Sequence, residues 1–516
     1  MGTLVGEAKS CLVNDRAKKR ILVMSEIGHS WSPVEALGGF TEVTKHLPRS
    51  VTLGSVLIGT IIKAAGYEVD FLDNHSEALF DMMLRERLSR RPDAICLSTT
   101  FILHRGRLEE IVRMIREVCP SVPLILGGAS LVSDPSMAEL GDFSVPGDGE
   151  NVVVPLLDAI FSGRGVSPGQ IAGVSPGSFQ GGLYANIAYD VNLDDVIWPD
   201  WSLATRLPNE FFPLETQRGC RWRCTFCNFP TRAGNKMRYR SVDGVIREMI
   251  RNYEVFGIHR YVFADSTFNS PPDRCIELLR KIKELPFPVE WVGYARVDAV
   301  TPEQADLMRE SGCKDLFLGL ESGDDFVLKK MNKGFTVDKM RAGIRLLRER
   351  DISFTSSWLI GFPGETRDSA RRTQDLMLEV KSPHNAIHCF QFSELSPVAK
   401  AKEKYGIEPG EGSCSWRHES MAYEEAHEYY LQTTEMAVQN DLFLTSGFCA
   451  GKYGALGFSI PEIAELTGLE HVLFKNRVSR NHAFEAAERK IAPWVERVKR
   501  ESMQHPMARE AAAILV

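Results

Sequence analysis

Three cysteines lie close together in the chain, at Cys220, Cys224 and Cys227. Their spacing is C-x3-C-x2-C, and the residue before the last cysteine, Phe226, is aromatic. Three thiolates at this spacing can each bind one iron of a cubane iron–sulfur cluster. The fourth iron then has no protein ligand and can bind a small molecule. The motif therefore predicts a redox-active iron–sulfur site with one open iron.

Two other uses of clustered cysteines fit this chain less well. A structural zinc site normally takes four ligands, often from two paired knuckles. No second C-x2-C lies nearby, and the closest other cysteine is Cys275. Eleven cysteines in 516 residues are also too sparse for a secreted disulfide framework. A bridge inside the motif would be a redox pair at most.

The composition is that of a soluble globular protein, with 44% hydrophobic and 25% charged residues. A net charge of −7 gives no overall attraction to nucleic acid or to an anionic membrane. Acidic Glu7 and Asp15 precede the first apolar run, so we expect no signal peptide. No stretch approaches the ~18 uncharged apolar residues of a membrane span. We expect a cytoplasmic protein in a reducing compartment, which an oxygen-sensitive cluster would also need.

The first third of the chain alternates buried strands with helices. After a polar tail over residues 1–19, strands are predicted at 20–25, 68–73, 94–99, 123–126 and 143–145. Helices are predicted at 51–65, 76–90 and 106–118, and another after 147–150. Near-continuous apolar strands that alternate with helices indicate a parallel α/β sheet. We therefore predict a flavodoxin-like, Rossmann-type domain over residues 20–161.

A second α/β series follows a linker rich in glycine, serine and proline at residues 162–210. Over residues 211–395, strands are predicted at 213–218, 260–265, 289–296, 315–321, 353–361 and 386–394. Six strand–helix repeats predict a partial (β/α)6 barrel, with the cysteine loop just after its first strand. In such barrels the chemistry gathers at the carboxyl ends of the strands. Residues 396–516 are predicted to form a mainly helical C-terminal domain.

The cysteine spacing and the order of the strand-end motifs resemble the radical S-adenosylmethionine (SAM) superfamily. In that superfamily the open iron chelates the amino and carboxylate groups of SAM. An electron from the cluster then breaks a C–S bond and gives a 5′-deoxyadenosyl radical. The resemblance implies that the three cysteines hold a catalytic [4Fe-4S] cluster. It also implies SAM contacts from Phe226, Asp265, Arg296, Glu321, Ser357 and Gly361.

Some of these positions depart from the superfamily pattern, and each has a simpler interpretation. Asp265 stands where many members carry Gly-Gly-Glu, and it could instead cap the next helix. Ser357 replaces the first glycine of a G-x-I-x-G-x-x-E motif. Glu321 could pair with Lys329 or Lys330. Gly361 could serve only a tight turn.

The order of the two α/β domains resembles the branch of the superfamily that binds cobalamin. That branch includes natural-product and hopanoid methyltransferases and the anaerobic cyclase of chlorophyll synthesis. In it, the corrin lies over the carboxyl edge of the first sheet, where open α/β sheets bind ligands and glycines allow close approach. The resemblance implies cobalamin contacts from Ser98, Thr99, Thr100, Gly127, Gly128 and the stretch from Gly147 to Glu150.

A histidine to bind cobalt from below is not evident in the sequence. Many cobalamin domains carry Asp-x-His-x-x-Gly after the first strand. Here Asp73 and His75 nearly spell the motif, but they follow the second strand and the glycine is replaced by Ala78. His29 follows the first strand in a different context. Both histidines fit ordinary surface loops, and the branch often lacks this ligand.

The resemblance implies a cobalamin-dependent radical SAM enzyme that uses SAM twice. One SAM methylates cobalamin and leaves as S-adenosylhomocysteine. A second is cleaved, and its radical takes a hydrogen from an unactivated carbon, which then takes the methyl group from cobalt. The implied cofactors are the [4Fe-4S] cluster, SAM and cobalamin. The expected partners are a small-molecule or peptide substrate and an electron donor of the flavodoxin or ferredoxin type, with no nucleic acid.

Several alternatives remain open. A cyclase or rearrangement enzyme has the same architecture, and fold alone does not decide the reaction. The first domain could keep its fold and contact a substrate or partner instead of cobalamin. A non-catalytic iron–sulfur sensor would need no SAM pocket. A methylthiotransferase would need further clustered cysteines in the first domain, but Cys11, Cys96 and Cys119 share no such spacing.

Overall fold

The computed structural model describes residues 16–27, 52–72, 77–102, 104–162, 175–176, 189–204, 210–445, 459–476 and 482–504. These residues divide into two compact units. The first contains the described residues from 16 to 204 together with 501–504, and the second contains those from 210 to 500. The predicted linker lies largely outside the described residues, and so do His29, His75 and Cys11.

The first unit is a six-stranded sheet with helices on both faces. Its strands are β1 (Arg20–Ile27), β2 (Glu68–Leu72), β3 (Ala94–Phe101), β4 (Leu124–Gly127), β5 (Phe143–Val145) and β6 (Ser175–Pro176). Its helices are α1 (Leu53–Ala64), α2 (Glu77–Ser89), α3 (Arg105–Val118), α4 (Ser130–Ser133) and α5 (Val153–Phe161), with a 3-10 helix at Pro135–Leu140. The strand order is β2-β1-β3-β4-β5-β6, with β1 to β5 parallel and β6 antiparallel. The order 2-1-3-4-5 is that of flavodoxin, as predicted.

The two faces of this sheet carry separate apolar cores. Leu22 and Leu97 belong to a core that packs against α2 and α3. Their neighbours Val23 and Cys96 belong to the core on the opposite face, which packs against α1 and α5. Successive side chains of a strand point to opposite faces, so burial on both faces requires an unbroken apolar run. This requirement explains why the sequence pattern predicts these strands.

The second unit contains a six-stranded parallel sheet in the order of a partial barrel. Its strands and the hairpin beside them are β7 (Phe212–Leu214), β8 (Gln217–Arg218), β9 (Arg238–Tyr239), β10 (Arg260–Phe263), β11 (Glu290–Ala295), β12 (Cys313–Glu321), β13 (Phe354–Ile360) and β14 (His384–Cys389). The intervening helices are α6 (Phe229–Arg232), α7 (Val242–Phe256), α8 (Pro272–Lys283), α9 (Pro302–Glu310), α10 (Asp325–Lys330), α11 (Val337–Arg348) and α12 (Arg367–Val380), with a 3-10 helix at Val297–Ala299. The strand order is β14-β13-β12-β11-β10-β7, with β8 and β9 forming a separate hairpin. This is the predicted (β/α)6 arrangement.

The C-terminal part of this unit is helical, with a small sheet that the sequence did not reveal. Its elements are α13 (Pro397–Lys400), a 3-10 helix (Lys402–Tyr405), β15 (Glu408–Pro409), β16 (Trp416–His418), β17 (Met421–Ala422), α14 (Tyr423–Gln439), α15 (Ile460–Lys475) and α16 (His482–Gln504). Strands of two or three residues are too short to show a period-2 pattern. Helix α14 packs against β14, β13 and α12. None of the described helices has the length and apolar character needed to cross a membrane.

The first barrel strand is shorter than the predicted 213–218. Ladder pairing with β10 ends at Leu214. The backbone N–H groups of Thr216 and Gln217 instead donate to the Asp265 carboxylate. Gln217 and Arg218 then pair antiparallel with β9. A buried side chain thus breaks the strand, which hydrophobic patterning alone does not show.

We predict that Gly343→Ala destabilises the second unit. A Cβ on Gly343 in α11 would lie 2.1 Å from the Val297 carbonyl oxygen and 2.8 Å from Val297 Cγ2. Because backbone cannot easily move away, the free energy of unfolding should fall by about 1–3 kcal/mol. Urea unfolding measures this change.

The matched control is Gly468→Ala in α15, where a Cβ would meet nothing within 4 Å. There the lower entropy of the unfolded chain should leave stability unchanged or raise it by about 0.4–1 kcal/mol. Equal effects of the two substitutions would contradict the close packing of α11 on Val297.

Candidate functional site

The cysteine loop begins at a glycine that no other residue can replace without strain. Gly219 has a φ of +104°, and a Cβ there would lie 2.2 Å from the Lys236 carbonyl oxygen. The Gly219 carbonyl accepts a 2.6 Å hydrogen bond from Ser266 Oγ. At the other end of the loop, Cys227 N donates to the Cys224 carbonyl at 3.2 Å. The loop is therefore fixed by its own backbone and by the segment after β10.

The three thiols are half-buried and interact electrostatically with one another. Burial raises the pKa of Cys227 to about 11. Burial also raises the pKa of Cys224, although nearby Lys333 and Arg296 oppose the rise. Cationic neighbours of this kind favour a thiolate, which is the metal-binding form.

Three cysteine thiols are the donor set of a cubane iron–sulfur cluster. Among the described residues, no group of three or more His, Cys, Asp or Glu side chains is placed to hold one metal ion. A cubane cluster binds each thiolate to a different iron, so its ligands need not converge on one point. The site chemistry therefore agrees with the predicted cluster.

Two cations lie beside the loop, held against aromatic rings. The Arg296 guanidinium lies 3.8 Å from the ring centroid of Trp222, and its Nη1 lies 3.9 Å from Cys224 Sγ. Lys333 Nζ lies 5.8 Å from the ring centroid of Phe226. Trp222 Nε1 is buried with no hydrogen-bond partner among the described residues. This leaves a donor next to the cysteines for a bound group.

Glu321 is aimed at one of these cations by an irregularity in its strand. The register between β12 and β13 shifts between Gly319 and Glu321, and Glu321 has a left-handed φ of +68°. Its carboxylate lies 3.3 Å from Lys333 Nζ. The pairing that the sequence suggested with Lys329 or Lys330 is therefore wrong, because the partner is Lys333. A Cβ on Gly319 would lie 2.4 Å from Glu321 Oε1, so the glycine makes room for the carboxylate.

Two side chains that sequence reasoning missed line the inside of the barrel. Tyr294 on β11 keeps 40% of its surface exposed, and His388 on β14 is also exposed. Burial nevertheless raises the pKa of Tyr294 and lowers that of His388, while Glu321 opposes the latter shift. Both side chains are exposed, yet the surrounding chain shifts their pKa values. We infer that both lie in the lumen of the barrel. Side chains that face into a barrel alternate along each strand with side chains that face outward, and this alternation was the signal available in the sequence.

The Asp265 side chain accepts hydrogen bonds from the backbone that leads into the cysteine loop. The side chain is 0% exposed. Its oxygens accept from Thr216 N at 2.8 Å and Gln217 N at 3.1 Å, and also from Thr216 Oγ1. Burial raises its pKa to about 6, opposed by these hydrogen bonds. Helix α8 has Pro271 at its N-cap, so the alternative of a capping aspartate is wrong. The predicted contact of Asp265 with SAM stays a prediction.

The end of β13 is enclosed by the C-terminal segment. Ser357 is buried on the strand. Gly361 has a φ of +90°, and a Cβ there would lie 2.6 Å from Ala426 Cβ in α14. His418 Nδ1 accepts from Ser420 N at 3.3 Å, so its Nε2 donates to the Gly361 carbonyl at 3.2 Å. Gly361 therefore does more than allow a tight turn, because it also lets α14 pack closely against the end of β13.

A buried carboxyl completes this end of the strand. Glu365 is 0% exposed and accepts from Gly361 N. Its other oxygen has no hydrogen-bond partner among the described residues. Burial raises its pKa to about 8, only partly opposed by the Gly361 hydrogen bond. At neutral pH the group is therefore mainly protonated.

In the first unit, polar and glycine residues line up at the carboxyl edge of the sheet. Ser98 stands opposite Gly127, and Gly127 opposite Val145. Thr99 Oγ1 donates to the Gly127 carbonyl at 3.0 Å, and Thr100 Oγ1 lies 3.3 Å from Ser98 Oγ. The structure therefore brings these predicted residues together on one edge.

The rest of this edge is glycine-rich and hydroxyl-rich. Gly128 has a φ of +111°, and a Cβ there would lie 2.5 Å from Thr100 Oγ1. Gly147 and Glu150 follow β5 and are half-buried. Sequence reasoning missed Ser25 at the end of β1, whose Oγ lies 2.6 Å from Thr52 Oγ1. Ser25 stands opposite Ser98 in the sheet, a pairing that the sequence pattern of a single strand does not show.

Family comparisons find two domains in this chain. Residues 45–157 match the B12 binding domain, and residues 214–377 match the Radical SAM superfamily. A B12-binding domain and a radical SAM domain are therefore both present, in the order that the fold shows. The first domain type implies cobalamin, and the second implies a [4Fe-4S] cluster and SAM, which agrees with the predicted cofactors.

Two curated relatives each match more than half of this chain. The uncharacterized methyltransferase PH0819 of Pyrococcus horikoshii is 28% identical over 280 residues, covering 51% of this chain. The anaerobic magnesium-protoporphyrin IX monomethyl ester cyclase of Rubrivivax gelatinosus is 24% identical over 330 residues, covering 60% of this chain. In each case the match spans 59% of the relative's own length.

A solved structure has the same fold. The radical S-adenosylmethionine methyltransferase TsrM of Kitasatospora setae, with cobalamin and a [4Fe-4S] cluster bound, matches with a TM-score of 0.63. The match covers 92% of this chain and 100% of that one, at 16% sequence identity. This chain therefore has the same fold as that protein.

We predict that Glu365→Gln removes a pH dependence from the stability of the second unit. The folded-state pKa of about 8 lies above the ordinary value of 4.5. Between these values the folded chain holds a proton that the unfolded chain lacks, so the free energy of unfolding falls as pH rises. Urea unfolding at pH 5, 6.5 and 8 should show a steeper fall for wild type than for the variant. Parallel pH profiles would contradict a protonated Glu365.

Proposed function

We propose that this chain, which joins a B12-binding domain to a radical SAM domain, is a cobalamin-dependent radical SAM C-methyltransferase. When bound, the cluster supplies the electron that cleaves SAM, and cobalamin carries the methyl group to the substrate carbon. The observation that carries the proposal is the cysteine loop, with three half-buried thiols beside Arg296 and Lys333. The domain order supports the cobalamin part.

The residues near the loop are suited to holding SAM in one orientation. Arg296 is restrained by its contact with Trp222 and by a 2.9 Å hydrogen bond from Nε to Asp298. A fixed guanidinium next to the cluster ligands suits a carboxylate, such as that of SAM. We assign the adenine side to Phe226, Ser357 and Gly361 and the ribose side to Glu321. Asp265 acts through the loop backbone, since its oxygens bind Thr216 and Gln217.

The sheet edge of the first unit is suited to cobalamin. Ser98, Thr99 and Thr100 supply hydroxyl groups, and Gly127 and Gly128 keep the edge free of side chains. Gly147 and Glu150 extend the same edge past β5. Strands β1 and β3 connect in opposite directions across the sheet, and ligands bind open α/β sheets at such a switch point.

A cyclase is the second candidate. It is favoured by the match to the magnesium-protoporphyrin cyclase of Rubrivivax gelatinosus, which extends over 60% of this chain. Either reaction needs the same radical and the same lumen, which Tyr294 and His388 line. The two functions differ in whether a methyl group leaves SAM for the substrate.

We infer further that the protein works in the cytoplasm, takes its electron from an external donor and acts on a small molecule or peptide. All nine described cysteines carry free thiols, as expected in a reducing compartment. The donor is needed because cleavage of SAM consumes one electron per event.

SAM cleavage tests the radical part of this proposal. Anaerobically reconstituted chain, incubated with SAM and dithionite, should form 5′-deoxyadenosine, measured by mass spectrometry. The Cys224→Ala variant should bind far less iron than the roughly four irons expected for wild type. Its yield of 5′-deoxyadenosine should fall at least 100-fold. The control Cys414→Ala, at an exposed cysteine outside the loop, should retain both. Product formation that survives Cys224→Ala would contradict the proposed cluster site.

Methyl transfer is distinguished from cyclisation by the second product. A methyltransferase should release S-adenosylhomocysteine in a cobalamin-dependent manner, whereas a cyclase should release only 5′-deoxyadenosine. Formation of 5′-deoxyadenosine without any S-adenosylhomocysteine would contradict the methyl-transfer proposal.

We predict that Gly127→Leu prevents cobalamin binding without unfolding the chain. A Cβ at this position meets only the Val145 carbonyl oxygen, at an ordinary 3.7 Å, so the larger side chain should extend over the sheet edge. Bound cobalt after gel filtration should fall at least tenfold, while iron content stays unchanged. The control Gly106→Ala, where a Cβ meets nothing within 4 Å, should keep its cobalt. Full cobalt binding by Gly127→Leu would place cobalamin elsewhere.

A further inference from the structure

Two segments of the second unit are tied to the cysteine loop by hydrogen bonds, and a third segment is tied to one of these. Thr225 N donates to the Met331 carbonyl at 2.9 Å, which joins the loop to the end of α10. Val398 N donates to the Thr225 carbonyl at 2.8 Å, which joins it to α13. Tyr405 Oη donates to the Lys330 carbonyl at 3.1 Å and links the two outer segments. The loop, the end of α10, α13 and the following 3-10 helix are therefore connected by hydrogen bonds and together form the surface around the cysteines.

This patch carries a concentration of exposed cations. We call it the basic surface, and its members are Arg221, Arg223, Lys236, Lys329, Lys400, Lys402 and Lys404. Lys330 adds a half-exposed cation within it. The exposed carboxylates on the same segments are Asp325, Glu394 and Glu403. The local charge is thus positive, although the whole chain has a net charge of −7.

Carboxylates elsewhere in the described structure do not neutralise the cations of the basic surface. Within the described part of the chain, none of the seven lies in an ion pair with a carboxylate. Arg223 instead donates to backbone carbonyls, including that of Cys220 at 2.8 Å. Elsewhere on the same unit, exposed Lys283 pairs with Glu310 at 2.8 Å. Unpaired cations around a redox site leave their field available to an incoming partner.

We propose that the basic surface is the docking site for a small, acidic one-electron carrier protein that reduces the cluster. The inference rests on the proposed function, since only an iron–sulfur cluster at Cys220, Cys224 and Cys227 needs this electron. The electron balance is simple. The carrier loses one electron, the oxidised cluster gains it, and no proton or atom is transferred.

Two features of the surface favour such a carrier. The thiols that would hold the cluster are half-exposed, so a protein seated on the surrounding cations comes close to the electron acceptor. Complementary charge speeds encounter by about 10- to 1,000-fold at low salt, and it allows release after transfer because rim charges add little lasting affinity. A transient reductant requires both properties.

The test measures binding directly, with oxidised flavodoxin as the probe and the cluster-free chain as the target. Fluorescence of the flavin mononucleotide reports the dissociation constant at 50 mM and 300 mM salt. We expect binding at low salt that weakens at least tenfold at high salt. Lys402→Glu combined with Lys404→Glu should weaken binding at least tenfold at low salt.

The matched control reverses two exposed charges on α11 of the same unit, Lys339→Glu and Arg345→Glu. This variant has the same net charge as the test variant and should bind within twofold of wild type. Equal weakening of the two variants would overturn the proposal, because only net charge would then matter. Tighter binding of a single-stranded oligonucleotide than of flavodoxin would also overturn it.

A second readout separates this proposal from the proposed function. With dithionite, the Lys402→Glu, Lys404→Glu variant should cleave SAM at the wild-type rate, but with reduced flavodoxin at least tenfold more slowly. A wild-type chain that cleaves SAM with dithionite but does not bind flavodoxin would overturn only the docking site. A chain that binds flavodoxin but never cleaves SAM would overturn the proposed function, and the electron-transfer role with it.

Discussion

The site depends on holding three thiols together on a short loop at the end of the first barrel strand. Thiols gathered in this way repel one another once they ionise, so the loop needs both rigid backbone and nearby positive charge. The backbone is fixed by Gly219, which adopts a positive φ where a side chain would collide with Lys236. It is also fixed by Asp265, which holds the backbone N–H groups of Thr216 and Gln217.

Positive charge is arranged in two layers around this loop. The inner layer consists of Arg296 and Lys333, which are buried against aromatic rings and face the thiols. Burying a cation is costly unless it is paired, and Glu321 and Asp298 supply that pairing. The outer layer is the basic surface, whose cations remain exposed. The inner layer suits the binding of SAM, and the outer layer suits the approach of an acidic protein.

Much of this architecture was accessible from the sequence, for physical reasons. Strands of the first sheet were recognised because burial on two faces demands unbroken apolar runs, as in Ile21 to Met24. The cysteine loop was recognised because thiolate ligands need a fixed spacing. What could not be read were contacts between distant residues, such as Glu321 with Lys333 or His418 with Gly361. The lumen residues Tyr294 and His388 were missed because their exposure depends on how the sheet curves in the partial barrel.

The measurement that tests the central claim most directly is the metal content of the intact chain. The chain is purified without oxygen, its cluster is reconstituted, and it is incubated with hydroxocobalamin and passed through gel filtration. We predict about four irons and one cobalt per chain, the loading expected for one cubane cluster and one cobalamin. Four irons without cobalt would leave a radical SAM protein whose first domain has another role. A chain without iron would contradict the account at its centre.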